Sequence, residues 1–218
     1  MRIIAHRAGN DPALLERLGA ADVVECDVHL RRGRLEVRHT KKIWFLPILW
    51  DRWYLVNPFR PPLLLERLLD AVPPETTLMI DMKGPTPGLG RAVLRAVEAH
   101  GRRRLVVSAR VWRHLKPFIG RPDTIVLHSA GSPRQLRRLL RRHPPGGLDG
   151  VSVHRRLLDP ATVAALRERA EHVWSWPIDD PAVARELAAW GVTGFISDAW
   201  ADLTDGLSAE APPPAAGP

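Results

Sequence analysis

The sequence predicts an α/β fold, a closed barrel of eight βα units, and three observations carry that expectation. Short apolar β-forming runs alternate with amphipathic helical stretches along the chain, which argues for a parallel sheet with crossover helices, and eight such units argue for closure. The runs tend to end on polar residues: His6, Glu25 with Asp27, Asp81 with Lys83, Ser108, His128, His154, and Ser197 with Asp198. A length of 218 residues suits one TIM-type (β/α)8 barrel near its lower size limit, and 45% hydrophobic residues supply a core. Active sites of such barrels lie at the C-terminal strand ends, so those polar tips are where chemistry is expected.

Taken in order, strand one covers residues 2–5, and Asp11-Pro12 offers an N-cap and first-turn proline for a short helix reaching about residue 19. Strand two covers 21–28. In a strand, residues i and i+2 point the same way, so Glu25 and Asp27 share one face while Val24, Cys26 and Val28 share the other. Residues 30–34 turn through Gly33 into a partner strand over 35–39, a β-hairpin that brings His39 back over the carboxylates. The aromatic loop that follows, 41–59, has two readings. It folds back on the barrel as core or as a wall of the mouth, or it forms an interfacial patch in which its Trp and Tyr residues sit at headgroup level and Lys41, Lys42 and Arg52 meet anionic lipid. It is too short and interrupted to cross a bilayer.

Helices are then expected over 62–71, 89–100, 111–118, 133–142, 160–170 and 181–190, and strands over 77–82, 104–108, 124–127, 150–153, 172–176 and 193–197. The domain reading is one barrel over 1–208 and a disordered Ala/Pro tail over 209–218.

The net charge of +8 and a pI near 10.8 come mainly from arginine and favour anionic partners. The runs Arg102-Arg103-Arg104 and Arg137-Arg138 with Arg141-Arg142 read as solvated charge near helix C-termini; no aromatic interleaving accompanies them, and no nucleic-acid partner is expected. Cys26 is the single cysteine, which excludes an intrachain disulfide, and its strand face points it toward packing. The chain shows no secretory leader pattern and no long apolar run, and it reads as cytoplasmic.

Glu25-x-Asp27 alone fits a solvated edge strand as well as a hard-cation site, since adjacent carboxylates are costly without a cation. Its company, His6-Arg7 upstream, His39 downstream and Asp81-Met82-Lys83 on the next strand, favours the site. His29, His128 and His154 read as structural or peripheral.

At these residues the chain resembles the glycerophosphodiester phosphodiesterase family, whose fold is a TIM-type barrel. His6-Arg7-Ala8-Gly9 is similar to its His-Arg-Gly motif, Glu25-Cys26-Asp27 to Glu-x-Asp, His39-Thr40 to His-Asp, and Asp81-Met82-Lys83 to Glu-x-Lys. Val173-Trp174-Ser175-Trp176 looks like Trp-Thr-Val-Asn, and the stretch from Gly191 to Asp198 resembles Gly-Val-Asp-Gly-Ile-Ile-Thr-Asp. The chain departs from the pattern at Ala8, Thr40 and Asp81, and Asn10-Asp11-Pro12 is a poor match to the family's Pro-Glu-Asn-Thr.

The resemblance implies a hydrolase of lipid metabolism that cleaves glycerophosphodiesters to an alcohol and glycerol 3-phosphate. Glu25, Asp27 and Asp81 would hold one Mg²⁺ or Ca²⁺. His6 and His39 would act as general acid and base, Arg7 and Lys83 would bind the phosphate, and Trp174 would wall the substrate. In the family the neighbouring glycerol hydroxyl can serve as nucleophile, giving a cyclic intermediate. The aromatic loop keeps open a lysophospholipid substrate, cleaved in a lysophospholipase D-like reaction, with peripheral contact to anionic membrane. A non-catalytic phosphate- or membrane-binding barrel is the alternative from another class.

Overall fold

The computed structural model describes residues 1–11, 21–39, 41–42, 49–51, 54–56, 61–101 and 104–209. The helix expected after Asp11, Thr40, most of the aromatic loop and the tail from residue 210 lie outside the described residues.

In chain order the elements are β1 (Arg2–Ala5), β2 (Val23–Arg31), β3 (Arg34–Val37), β4 (Lys41–Lys42), β5 (Leu49–Asp51), β6 (Tyr54–Val56), β7 (Leu63–Leu64), α1 (Leu65–Ala71), β8 (Thr77–Met82), α2 (Leu89–Ala99), β9 (Leu105–Ala109) and β10 (Thr124–Ala130). They continue through α3 (Pro133–Arg142), β11 (Leu148–His154), α4 (Pro160–Arg167), β12 (Ala170–Trp176), α5 (Pro181–Trp190), β13 (Gly194–Ser197) and α6 (Trp200–Ser208). Eight strands run parallel in the order β1-β2-β8-β9-β10-β11-β12-β13, and β1 pairs with both β2 and β13, so the sheet closes as a TIM-type α/β barrel. β2 outruns its barrel partners and turns at Arg32 and Gly33, both at positive φ, into antiparallel β3, on which β7 adds a further strand. β4, β5 and β6 form a separate antiparallel sheet.

Local chemistry explains several boundaries. α3, α4 and α5 each start with proline, which needs no N–H donor in the first turn, behind a side chain that accepts a backbone N–H: Ser132, Asp159 and Asp180. The helix expected over 111–118 is instead two 3₁₀ turns, Trp112–His114 and Lys116–Phe118. Pro117 lacks the N–H that a continuous helix needs and disfavours helical geometry at Lys116. The helix expected from residue 62 starts at Leu65, because Leu63 and Leu64 pair with β3. α6, which the sequence reading did not anticipate, buries Leu203 and packs on β1 and β13.

Side chains alternate between two cores. Inside the barrel, Ile4, Val23, Met79, Val106, Leu127 and Ile196 pack around Trp174. Outside it, the opposite strand faces carry Val24, Cys26, Ile80 and Val107 against Leu65, Leu68, Leu89 and Val93 of α1 and α2. Burying each such aliphatic side chain stabilises the fold by about 1.5–3 kcal/mol. Cys26 is fully buried in this outer layer, as its strand face predicted. No helix among the described residues is long and apolar enough to cross a membrane.

Candidate active site

The period of two along the strands carries each inner apolar residue to a polar one at the barrel mouth. Ile4 is followed by His6, Val23 by Glu25, Met79 by Asp81, and Val106 by Ser108. On the far side Leu127 leads to Ser129, Trp174 to Trp176, and Ile196 to Asp198. The second member of every pair lines one cavity of about 120 Å³.

On the β1–β2–β8 side, carboxylate oxygens of Glu25, Asp27 and Asp81 lie within 4.8 Å of one another. Glu25 and Asp27 share the strand face that the sequence assigned them, and Asp81 stands opposite Asp27 in the β2–β8 register. The Lys83 ammonium lies 2.8 Å from Asp27 Oδ1 and also pairs with Asp81. Burial and the Asp27 charge push the Glu25 carboxyl well above its ordinary range, against the pull of Lys83. Burial also disfavours the Asp27 carboxylate, but Lys83 and His39 outweigh it and hold the group well below the ordinary range. Lys83 likewise resists its own burial, because Asp81, Asp27 and Glu25 hold it in the ammonium form.

This set fits a hard divalent cation. Its donors are all carboxylate oxygens, and among the described residues the buried Asp81 Oδ1 has no hydrogen-bond partner.

The two histidines stand beside the carboxylates. His6 Nδ1 lies 2.8 Å from Asp198 Oδ1, His39 Nδ1 lies 2.9 Å from Asp27 Oδ2, and the ring centroids are 6.3 Å apart. A carboxylate at each Nδ1 favours the tautomer protonated there and leaves Nε2 as the basic nitrogen. Arg7 takes the left-handed conformation (φ 60), rare without glycine, and its backbone N–H donates to Glu25 Oε2 at 2.7 Å. Arg7 lines the cavity, and among the described residues its buried Nε has no hydrogen-bond partner.

Thus His6, Arg7, Glu25, Asp27, His39, Asp81 and Lys83 converge as expected, whereas Trp174 does not stand where the sequence reading put it. Trp174 is fully buried inside the barrel, filling the space beside Gly194, where a Cβ would come 2.6 Å from the indole. Trp176, one inward position nearer the mouth, lines the cavity in its place. His128, on the outer strand face, packs against Trp112 and His143, away from the cavity, but His154 lines it. The sequence reading also missed Asn10, whose Nδ2 donates to Asp27 Oδ2 and whose Oδ1 accepts the Asp27 N–H, each at 2.9 Å. The signal was present in the match to the family's Asn-containing segment, which Asn10 serves at one position only.

No family model and no curated protein matches this chain. Solved structures do. A glycerophosphodiester phosphodiesterase from Parabacteroides distasonis superposes with a TM-score of 0.72 at 22% identity, covering 97% of this chain and 98% of that one. A putative glycerophosphoryl diester phosphodiesterase from Agrobacterium tumefaciens gives 0.75 at 17% identity, with 96% and 98% covered. A phosphodiesterase from Oleispira antarctica, in complex with the product sn-glycerol-3-phosphate, gives 0.71 at 17% identity, with 95% and 97% covered. At these identities the likeness establishes a shared fold, the closed eight-stranded α/β barrel, over nearly the whole chain.

Proposed function

We propose that the protein is a metal-dependent phosphodiesterase that hydrolyses glycerophosphodiesters to an alcohol and glycerol 3-phosphate. The observation that carries this is the placement of two carboxylate-held imidazoles, 6.3 Å apart, beside a cluster of three carboxylates at the barrel mouth, two of them buried. The fold shared with the glycerophosphodiester phosphodiesterase structures, one of them bound to sn-glycerol-3-phosphate, supports the same substrate class.

Glu25, Asp27 and Asp81 would hold one divalent cation, Mg²⁺ or Ca²⁺, which when bound neutralises phosphate charge and acidifies a coordinated water or hydroxyl. Arg7 and Lys83, which line the cavity, bind the non-bridging oxygens and stabilise the charge that grows toward the transition state. One of His6 and His39 takes the proton of the attacking hydroxyl at Nε2, and the other protonates the departing alkoxide. Asp198 and Asp27 keep the two rings in the tautomer this exchange requires. Glu25 and Asp27 are buried among packed strands, which strengthens the electrostatic interactions those two carboxylates make.

The test is phosphodiester cleavage by metal-stripped protein with Mg²⁺, Mn²⁺ or Ca²⁺ restored, on glycerophosphocholine and lysophosphatidylcholine in parallel. The expected result is cation-restored turnover that falls about 10²–10⁴-fold in His6→Ala and in His39→Ala. Cation-independent turnover, or full activity in either variant, would refute the scheme. Turnover of lysophosphatidylcholine alone would move the substrate class to lipids.

A further inference from the structure

A second concavity opens beside the first, and Arg110 lines both. It is a groove of about 910 Å³ along α3, lined by Arg110, Arg134, Arg137, Arg138, Arg141 and Arg142, and among the described residues no carboxylate lines it. Among the described residues, none of these six guanidinium groups pairs with a carboxylate. Five of the six lie at i, i+3, i+4, i+7 and i+8 of α3, so helical period alone gathers them on one exposed face; what a solvated helix face does not supply is Arg110, which closure of the barrel brings to the same groove.

The groove is also joined to the mouth in a defined way. The Arg110 guanidinium lies 5.0 Å from the centroid of the Trp176 ring, and Trp176 in turn packs edge-on against His154 at 4.7 Å. Gly131 lies close enough that a Cβ there would come 3.1 Å from the guanidinium and 3.2 Å from the indole. Arg138 is seated in the same manner over Trp112, at 5.0 Å. Two of the six cations are therefore positioned on aromatic faces, with less rotamer freedom to lose on binding an anion. His154, on the same rim, is held below its ordinary range by burial and by Arg156, Arg110 and Arg155, a second sign that this side of the mouth is cationic.

We infer that the arginine groove selects water-soluble glycerophosphodiesters whose leaving alcohol carries a further phosphate group. The inference rests on the hydrolytic reading above and specifies its substrate. In the net reaction the hydroxyl of water bonds to phosphorus, the P–O bond to the alcohol breaks and the departing alkoxide takes the water's other proton; the groove takes no part in these steps and holds the departing alcohol through its extra phosphate. Arginine suits the task because its fork meets phosphate oxygens in bidentate fashion.

The experiment compares sn-glycero-3-phosphoinositol 4-phosphate with sn-glycero-3-phosphoinositol, which differ by that one phosphate. The wild type is expected to favour the phosphorylated diester by about tenfold in kcat/KM at low salt, with the preference shrinking as salt rises. In Arg110→Gln/Arg134→Gln the ratio should approach one. Equilibrium affinities of both diesters for the His6→Ala protein give a readout that does not need turnover. A ratio near one in both kinetics and affinity overturns the inference. Absence of turnover on either diester, with the affinity preference intact and arginine-dependent, sinks the hydrolytic reading and leaves the groove assignment standing. Arginine-dependent sedimentation with phosphatidylglycerol vesicles, without any preference between the diesters, overturns it in favour of a membrane-facing surface.

Discussion

Asn10 offers a sharp test of how the carboxylate cluster is held. It closes the short 3₁₀ turn Ala8–Asn10 after β1, and its carboxamide grips both the carboxylate and the backbone N–H of Asp27, which is wholly buried. Asn10→Ala removes both bonds at once. A hydrogen bond to a charged group contributes roughly 1.5–3 kcal/mol, and a buried donor left without a partner costs roughly 1–3 kcal/mol. The two losses share one site and overlap, so the expected destabilisation is about 3 kcal/mol. Asn10→Asp should cost more than the alanine variant, because it sets a second carboxylate against Asp27 where a donor had been. The assay is urea unfolding followed by tryptophan fluorescence in chelator, with all three proteins compared at one pH. Thermal-shift titration with Mg²⁺ and Ca²⁺ supplies the second readout, where loss of a residue that orients a ligand should weaken cation affinity about 10–100-fold in the alanine variant. If Asn10→Ala stays within about 0.5 kcal/mol of wild type, or Asn10→Asp proves the more stable variant, the clamp is not what positions Asp27.

Two further outcomes follow from the buried charges. Lys83→Met leaves Asp27 and Asp81 without their ammonium and should lower metal-free stability by about 3–5 kcal/mol, with a divalent cation recovering much of the loss; equal melting temperatures in chelator would refute the pairing. His128 is held down to about 4 by burial and by His143. Between that value and the ordinary histidine range the unfolded chain binds a proton that the folded one refuses, so stability is present above pH 6.5 and falls as pH drops toward 4, by up to about 3 kcal/mol. His128→Gln should flatten that part of the urea-midpoint profile, and an unchanged slope would show that the imidazole is not held neutral.

What could be read from the sequence followed from the strand period, and what could not depended on register. Glu25 and Asp27 share a face whatever the neighbouring strands do, and the hairpin at Gly33 returns His39 over that face by its length alone. Trp174 and Trp176 share a face too, yet nothing local says which of them reaches the mouth. That is decided by the pairing of Trp174 with Gly194 across β12 and β13, where the missing side chain makes room for one indole inside the barrel and leaves the next above it. Asn10 was hidden for a different reason. The motif it partly matches is four residues long, but the fold needs one carboxamide at one place, and the left-handed turn at Arg7 delivers it.

The basic run on α3 shows the opposite failure. Its helical spacing supports a solvated face, and that account stays adequate until the barrel sets Arg110, from the end of the neighbouring strand β9, beside the same groove. The charge on α3 was legible, but its convergence was not, because it joins residues on two βα units that only closure of the sheet brings side by side. The same logic applies to Asp81, where the shorter carboxylate departs from the family's glutamate. Its fit to the cluster is set by the β2–β8 register that places it opposite Asp27, and by Lys83, which draws both carboxylates to one ammonium.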